Sequence, residues 1–259
     1  SIRLLTSIHQ IYPLNLDCQS TLIFRMKIAL LGYGKMGKVI EKIAVNRGHE
    51  VVLKIDKDSA PYDITIADVA INFSTPDSAV ENIRIALENR VPIISGTTGW
   101  LSEMERIKKV CADHNGAFIY ASNFSLGVNI FFELNKHLAK MMKNLTDYQI
   151  DLEEIHHTQK VDAPSGTAIT LAEGILEHSI HNSWGLTPLK DTDKFPITAK
   201  RIDTVPGTHT VNYSSEVDRI SLIHTAHNRE GFGLGAVVAA EWIVGKTGIF
   251  TMNDVLNIG

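Results

Sequence analysis

The sequence predicts an α/β protein: a doubly wound parallel sheet joined to a second α+β part that carries an open mixed or antiparallel sheet. Three observations predict it. Between Lys27 and Ala121 short apolar runs alternate with segments of helical period, as when helices return the chain across a sheet so that successive strands lie parallel. The first run ends in a glycine turn, Gly32-Tyr33-Gly34-Lys35-Met36-Gly37. From Tyr148 the apolar positions alternate through Ile150 and Leu152, and later strand-like stretches follow one another with no helix between them.

Lys27 to Leu31 is the first strand, and Val39, Ile40, Ile43 and Ala44 give Lys38 to Asn46 helical spacing. Between them Gly32 permits a tight turn, Gly34 lets a pyrophosphate approach the backbone, and Gly37 lets the helix pack on the strand. The next strand, Val51 to Ile55, ends in Asp56, 19 residues after Gly37, where a carboxylate can hold the adenine-ribose hydroxyls of a dinucleotide. This half therefore reads as Rossmann-type, against the alternative of a purely structural glycine turn. Lys35 and Lys57 either pair with a 2′-phosphate or stand as solvated surface lysines, so NADH, NADPH or both are the expected cofactors.

Asp68 to Phe73 is a third strand, Asp77 to Asn89 a helix entered through Pro76, and Val91 to Ser95 a fourth strand. Ligands of such sheets bind beyond the carboxyl ends of the strands. Phe73-Ser74-Thr75-Pro76 and Ser95-Gly96-Thr97-Thr98-Gly99 lie there, the second small enough for a nicotinamide ring to rest on bare backbone. A helix from Leu101 to His114 and a strand from Ala117 to Ala121 complete the alternation.

The polar stretch 121–129, with Ser122, Asn123 and Phe124, reads as a hinge, followed by a helix from about Ile130 to Lys143. Strands are expected at Ile197 to Ile202, Thr208 to Ser214 and Arg219 to Ala226. The buried helix Gly231 to Val244 is expected to return to the first part, because the strands of the second are finished. The expected division is residues 26–121, completed by 229–259, and residues 122–228. Residues 1–25 read as a disordered extension upstream of Met26, with an organelle presequence as the alternative; Pro13, Asn15 and Asp17 interrupt every apolar run, and the basic region, continuous apolar stretch and cleavage site of a signal peptide are lacking.

Composition excludes several classes. With 25 Lys and Arg against 29 Asp and Glu, a net charge of −4 exerts no general pull on nucleic acid or an anionic membrane. No stretch approaches the roughly 18 apolar residues of a membrane span. Cys18 and Cys111 make neither a disulfide framework nor a zinc spacing, and a reducing cytoplasm is the simplest setting.

The densest chemistry lies in residues 154–168, Glu-Ile-His-His-Thr-Gln-Lys-Val-Asp-Ala-Pro-Ser-Gly-Thr-Ala. It begins where a strand ends, so His156 and His157 are expected on opposite faces, which disfavours a shared metal, and no metal is predicted. His156 is a candidate proton donor, and Lys160 a cation that binds or polarises an anionic substrate. Ser165, Gly166 and Thr167 open a helix from Ala168 to His178 and offer amides and hydroxyls to a carboxylate, with a plain helix cap as the alternative.

This segment resembles the signature of the 4-hydroxy-tetrahydrodipicolinate reductase (dihydrodipicolinate reductase) family, which serves diaminopimelate and lysine biosynthesis. The likeness runs from Met26 to the C-terminus and includes the glycine turn, Phe73-Ser74, Gly96 to Gly99, Ala121 to Asn129, Val205 to Thr208 and His224 to Arg229. It implies that His156 protonates a dicarboxylate substrate, that Lys160 anchors or polarises it, and that His157, Gly166 and Thr167 hold its carboxylates. It also implies that Gly32, Met36 and Gly37 hold the pyrophosphate, Asp56 the ribose, and Gly96 and Thr98 the nicotinamide. Gly34, Lys35, Lys57, Phe73, Ser74, Thr97, Ser122, Asn123, Phe124 and Arg229 join the expected cofactor surface. A homotetramer built through the second sheet is implied as well. Residues 182–195 carry no motif to transfer. Two rivals are a semialdehyde or homoserine dehydrogenase, the former needing a cysteine nucleophile that Cys111 is poorly placed to be, and a non-catalytic nucleotide sensor.

Overall fold

A computed structural model describes residues 25–56, 61–191 and 193–258. Lys57 and residues 1–24 of the expected extension, Cys18 among them, lie outside the described residues. The chain begins with β1 (Lys27–Leu31), α1 (Lys35–Asn46), β2 (Glu50–Ile55), β3 (Val69–Asn72), α2 (Pro76–Glu88), β4 (Ile93–Ser95), α3 (Met104–Asp113) and β5 (Ala117–Tyr120). It continues through α4 (Leu126–Met142), β6 (Gln149–His156), α5 (Gly166–Leu176), β7 (Ser183–Leu186), β8 (Lys194–Arg201), β9 (Gly207–Ser214) and β10 (Arg219–Ala226). It closes with α6 (Glu230–Ile243), β11 (Gly248–Phe250) and α7 (Met252–Leu256).

Six strands form an all-parallel sheet in the order β11-β5-β4-β3-β1-β2. Four of the five β1 residues are buried, as befits a central strand covered on both faces. Alternate strand residues feed two cores. Ile28 and Leu30 pack with Ile40 and Ala44 of α1 and with Ala236, Val237 and Ala240 of α6. Ala29 and Leu31 face the other way, toward Ile83 and Leu87 of α2 and Ile107 of α3. Arg47 forks onto Glu241 at 2.7 Å through Nε and Nη2, and His49 Nε2 meets the same carboxylate at 2.7 Å, fastening α6 to the start of β2.

The second sheet is mixed, in the order β10-β9-β6-β8-β7. β9 runs antiparallel to β6 and β10, whereas β8 runs parallel to β6 and β7. Phe131 and Leu138 of α4 and Leu171 and Ile175 of α5 cover one face, against Leu152, Ile197, Val211 and Tyr213.

Several boundaries differ from expectation for local reasons. α4 starts at Leu126 rather than near Ile130, because Ser125 Oγ caps it by accepting the Val128 N–H at 3.4 Å. α5 starts at Gly166 because Ser165 Oγ accepts the Ala168 N–H at 3.2 Å. β6 continues to His156, four residues beyond the last alternating apolar position. β7, β11 and α7 were not foreseen: each is short, and β7 and β11 are sheet edges, β11 pairing with the sequence-distant β5.

Candidate active site

β1 pairs with β2 on one side and β3 on the other, so the winding reverses beside β1 and a crevice opens beyond the strand ends. Gly32 sits there at φ +99°, and a Cβ on it would come within 2.2 Å of the Phe73 carbonyl oxygen. Gly34 caps α1, yet no side chain caps the helix and a Cβ at Gly34 would meet nothing within 4 Å. First-turn amides at the positive end of a helix dipole, with open space before them, fit a pyrophosphate. Lys35 and Asp56 are exposed beside this turn, and Met36 packs against the first core.

The loops after β3 and β4 are tied together by Asn72, which is wholly buried. Its amide donates to Ser95 Oγ at 3.0 Å and to Thr97 Oγ1 at 3.3 Å, while its carbonyl accepts from Ser74 Oγ at 2.8 Å and Asn82 Nδ2 at 3.1 Å. Thr97 also accepts the Ser74 N–H at 2.9 Å. Its hydroxyl therefore organises the loops. Gly96 leaves room for Phe73, whose ring would lie 2.3 Å from an added Cβ. The Phe73 ring leans on Phe124 at 5.8 Å, and Phe124 itself belongs to the first core.

A cavity of about 500 Å³ lies between the two sheets, within the range of small-ligand sites. Thr98, Ser122 and Asn123 line it from the first sheet's loops; His156, His157, Lys160, Gly166 and Thr167 line it from the second part, with Ser165, Arg229 and Phe232. His156 and His157 thus both reach the cleft. The expected split fails because the strand alternation ends at His156, where the chain turns and the Lys160 N–H binds the His157 carbonyl at 3.1 Å. Lys160 Nζ holds both Asp162 oxygens at 2.8 Å, which keeps the Asp162 carboxyl below its ordinary range. Ser165 is buried: besides capping α5, its Oγ meets His209 Nε2 at 3.1 Å and its N–H binds Glu154 at 3.0 Å.

Beneath the cleft lies a group that the motif reading passed over. Glu154 is wholly buried, and Arg201 Nη2 lies 3.1 Å from its Oε1. Its Oε2 stands 3.5 Å from His156 Nδ1 and 3.7 Å from His209 Nε2. Burial pushes the His156 pKa down; Glu154 opposes that, and Lys160 and Arg201 reinforce it. Burial takes His209 down to about 3, with the positive charges of His156, His224 and Lys160 adding to the effect. Glu154, His156 and His209 each offer one ligand atom within 4.8 Å of the others. Glu154 is the one anion of the three, however, and both of its oxygens already serve Arg201 and Ser165. The arrangement is that of an ion-pair network.

Glu154 was legible in principle, two residues before His156 on the same face of a strand. Arg201 and His209 were not, since only the sheet register sets His156 opposite Arg201 and Glu154 opposite His209. Cys111 is buried in α3, and burial raises its pKa, the opposite of an activated thiol.

A dinucleotide turn on the first sheet, and a histidine–lysine cluster that shares a cleft with that sheet's loops, define an oxidoreductase that works with a nicotinamide cofactor. Residues 26–124 match the family profile described as dihydrodipicolinate reductase, N-terminus, and residues 127–256 match its C-terminus. The chain belongs to the dihydrodipicolinate reductase family. A relative from Christiangramia forsetii, named 4-hydroxy-tetrahydrodipicolinate reductase, is 56% identical over 235 residues, covering 90% of this chain and 98% of the relative. One of the same name from Methanocaldococcus jannaschii is 35% identical, over 88% of this chain and 81% of its own. A dipicolinate-bound dihydrodipicolinate reductase from Paenisporosarcina sp. TG-14 shares the fold, with a TM-score of 0.73 at 22% identity over 88% of this chain and 97% of that one. Among the described residues no helix is long and apolar enough to cross a membrane.

Proposed function

We propose that this chain reduces 4-hydroxy-tetrahydrodipicolinate to tetrahydrodipicolinate with NADH or NADPH, a step of diaminopimelate and lysine biosynthesis. The observation that carries the reading is the cleft in which His156, His157, Lys160, Gly166 and Thr167 face Thr98, Ser122 and Asn123. Gly32, Gly34, Met36 and Gly37 hold the pyrophosphate and Asp56 the adenine ribose, and Lys35 and Lys57 are the candidate partners of a 2′-phosphate. Phe73, Ser74, Gly96, Thr97, Thr98, Ser122, Asn123, Phe124 and Arg229 form or support the surface for the nicotinamide half. When bound, the reduced nicotinamide supplies a hydride.

The chain's own groups orient, neutralise and protonate a cyclic imine that bears two carboxylates. His157, Gly166 and Thr167 hold the carboxylates, aided by the free amides at the start of α5, and Ser165 keeps that helix end in place. Lys160 anchors or polarises the substrate, with Asp162 holding its ammonium toward the cleft. His156 donates the proton; burial weakens its grip on that proton and makes it the stronger acid. Residues 26–121 with 229–259 and residues 122–228 act as two units that close about the stretch 121–129. The outward residues of β9, Thr208, Thr210, Asn212 and Ser214, stay partly exposed, and this face is our choice for the contact that builds a homotetramer. We place the enzyme in the cytoplasm, where a diffusible nicotinamide cofactor is at hand.

The deciding experiment supplies the condensation product of pyruvate and aspartate semialdehyde and follows oxidation of NADH and NADPH. Substrate-dependent oxidation is the expected result. Nucleotide binding without it would overturn the reading in favour of a nucleotide sensor.

A further inference from the structure

His156 lines the cleft yet is almost wholly buried, at 7% exposure. Nδ1 is fully buried and makes no regular hydrogen bond; Glu154 Oε2 stands 3.5 Å from it. Nε2 lies beside Gly207, where a Cβ would come within 3.1 Å of it, so the ring sits where it does because that position is bare. Edge-on to the ring stands His209, centroid to centroid 5.0 Å. Glu154 is itself immobilised, one oxygen by Arg201 and the other by the Ser165 N–H. A buried carboxylate so fixed is costly to retain without a use.

From this placement we infer that Glu154 is a positioning residue for proton transfer: it holds His156 with the proton on Nδ1 and Nε2 toward the substrate, and it steadies the imidazolium before the proton leaves. The inference rests on the reductase reading for its consequence in turnover, and on geometry alone for the Glu154–His156 coupling. Neutral His209, close to the same oxygen and hydrogen-bonded to Ser165, stops the carboxylate from swinging away. The charged and titratable groups around His156 are Glu154 on its own strand, Lys160 and Asp162 from the following turn, Arg201 on β8 and His209 on β9. Of these, Glu154 is the anion directed at the buried nitrogen. A histidine whose second nitrogen is oriented by a carboxylate is a general device for fixing tautomer and basicity.

The test is Glu154→Gln, which keeps the shape and removes the charge, with Glu154→Asp as the variant that keeps the charge and draws it back. Substrate-free histidine NMR, with His156 assigned by its loss in His156→Gln, reads the titration directly. Removing the anion lowers the His156 pKa further, so the titration moves to lower pH in Glu154→Gln and part of the way in Glu154→Asp. In turnover, the limb on which activity falls with rising pH moves the same way, and kcat drops about tenfold or more while KM for the dicarboxylate stays within about threefold. A His156 titration that coincides with wild type in Glu154→Gln overturns the inference. Should that variant not fold, an unmoved titration in Glu154→Asp does the same. Because the NMR reading needs no substrate, it stands or falls separately from the reductase assignment.

Discussion

Asn72 and Thr97 meet at the ends of neighbouring strands: the buried amide donates to the threonine hydroxyl at 3.3 Å, and that hydroxyl accepts the Ser74 N–H at 2.9 Å. Two loops that would otherwise move separately are held as one surface beside the glycine turn. A half-satisfied buried network is costly, so each member matters beyond its own bond.

Asn72→Ala leaves Ser95, Ser74 and Asn82 without their shared partner. Urea unfolding is expected to show a loss of about 1–3 kcal/mol. In steady-state kinetics the KM for the cofactor should rise more than the KM for the dicarboxylate. Equal effects on both would mean that the network supports the whole molecule and not the cofactor surface.

Gly32 and Gly34 should separate folding from binding. Gly32→Ala places a Cβ 2.2 Å from the Phe73 carbonyl at a φ of +99°, and it should cost stability and cofactor affinity together. Gly34→Ala meets nothing within 4 Å in the protein. It should leave the melting temperature within about a degree or two, yet weaken NADPH binding by roughly tenfold or more, because the methyl group stands where a pyrophosphate approaches. Calorimetry and fluorescence titration on the two variants check both halves.

The contrast between these glycines and the Glu154 network shows what a sequence discloses. The first five strands of the parallel sheet were legible as short apolar runs, most of them followed by a helix, and the glycine turn because its function is local. His156, Lys160 and Ser165 lie within ten residues of one another, and they were legible for the same reason. Asn72 carries no motif, and Arg201 and His209 reach the site through pairing with β6, information that resides in register rather than in spacing. β7 stayed hidden for a related reason: Ser183–Leu186 is four residues long, so Trp184 and Leu186 alternate only once, and it becomes a strand by pairing with β8.

His156→Gln and Lys160→Ala should both lower kcat, the first by about 10²-fold or more as proton donation is lost. Lys160→Ala should also raise the KM for the dicarboxylate, and it frees Asp162 to repel the substrate carboxylates. NADPH affinity, measured by fluorescence titration, should be unchanged in both. Near-wild-type turnover in either variant would remove that residue from its proposed role.

The depressed histidines predict acid sensitivity of the fold. In the unfolded chain a histidine takes up its proton near pH 6.5, but burial holds His209 down to about 3 in the folded protein. Above the unfolded value both states are neutral and there is no penalty. As pH falls below it the unfolded chain binds a proton that the folded chain refuses, so stability declines toward the folded value, at about 1.4 kcal/mol per pH unit for each such group. His156 and His224 are depressed in the same direction and steepen the upper part of this window. His209→Gln retains a polar atom for Ser165 and abolishes the titration. Urea midpoints measured from neutral to about pH 4.5 should therefore fall less steeply in the variant, by roughly one proton's worth, even if it is the less stable protein at neutral pH. Parallel curves for the two proteins would mean that His209 already protonates with the unfolded chain, and that its burial between Ser165 and Glu154 does not exclude the charge.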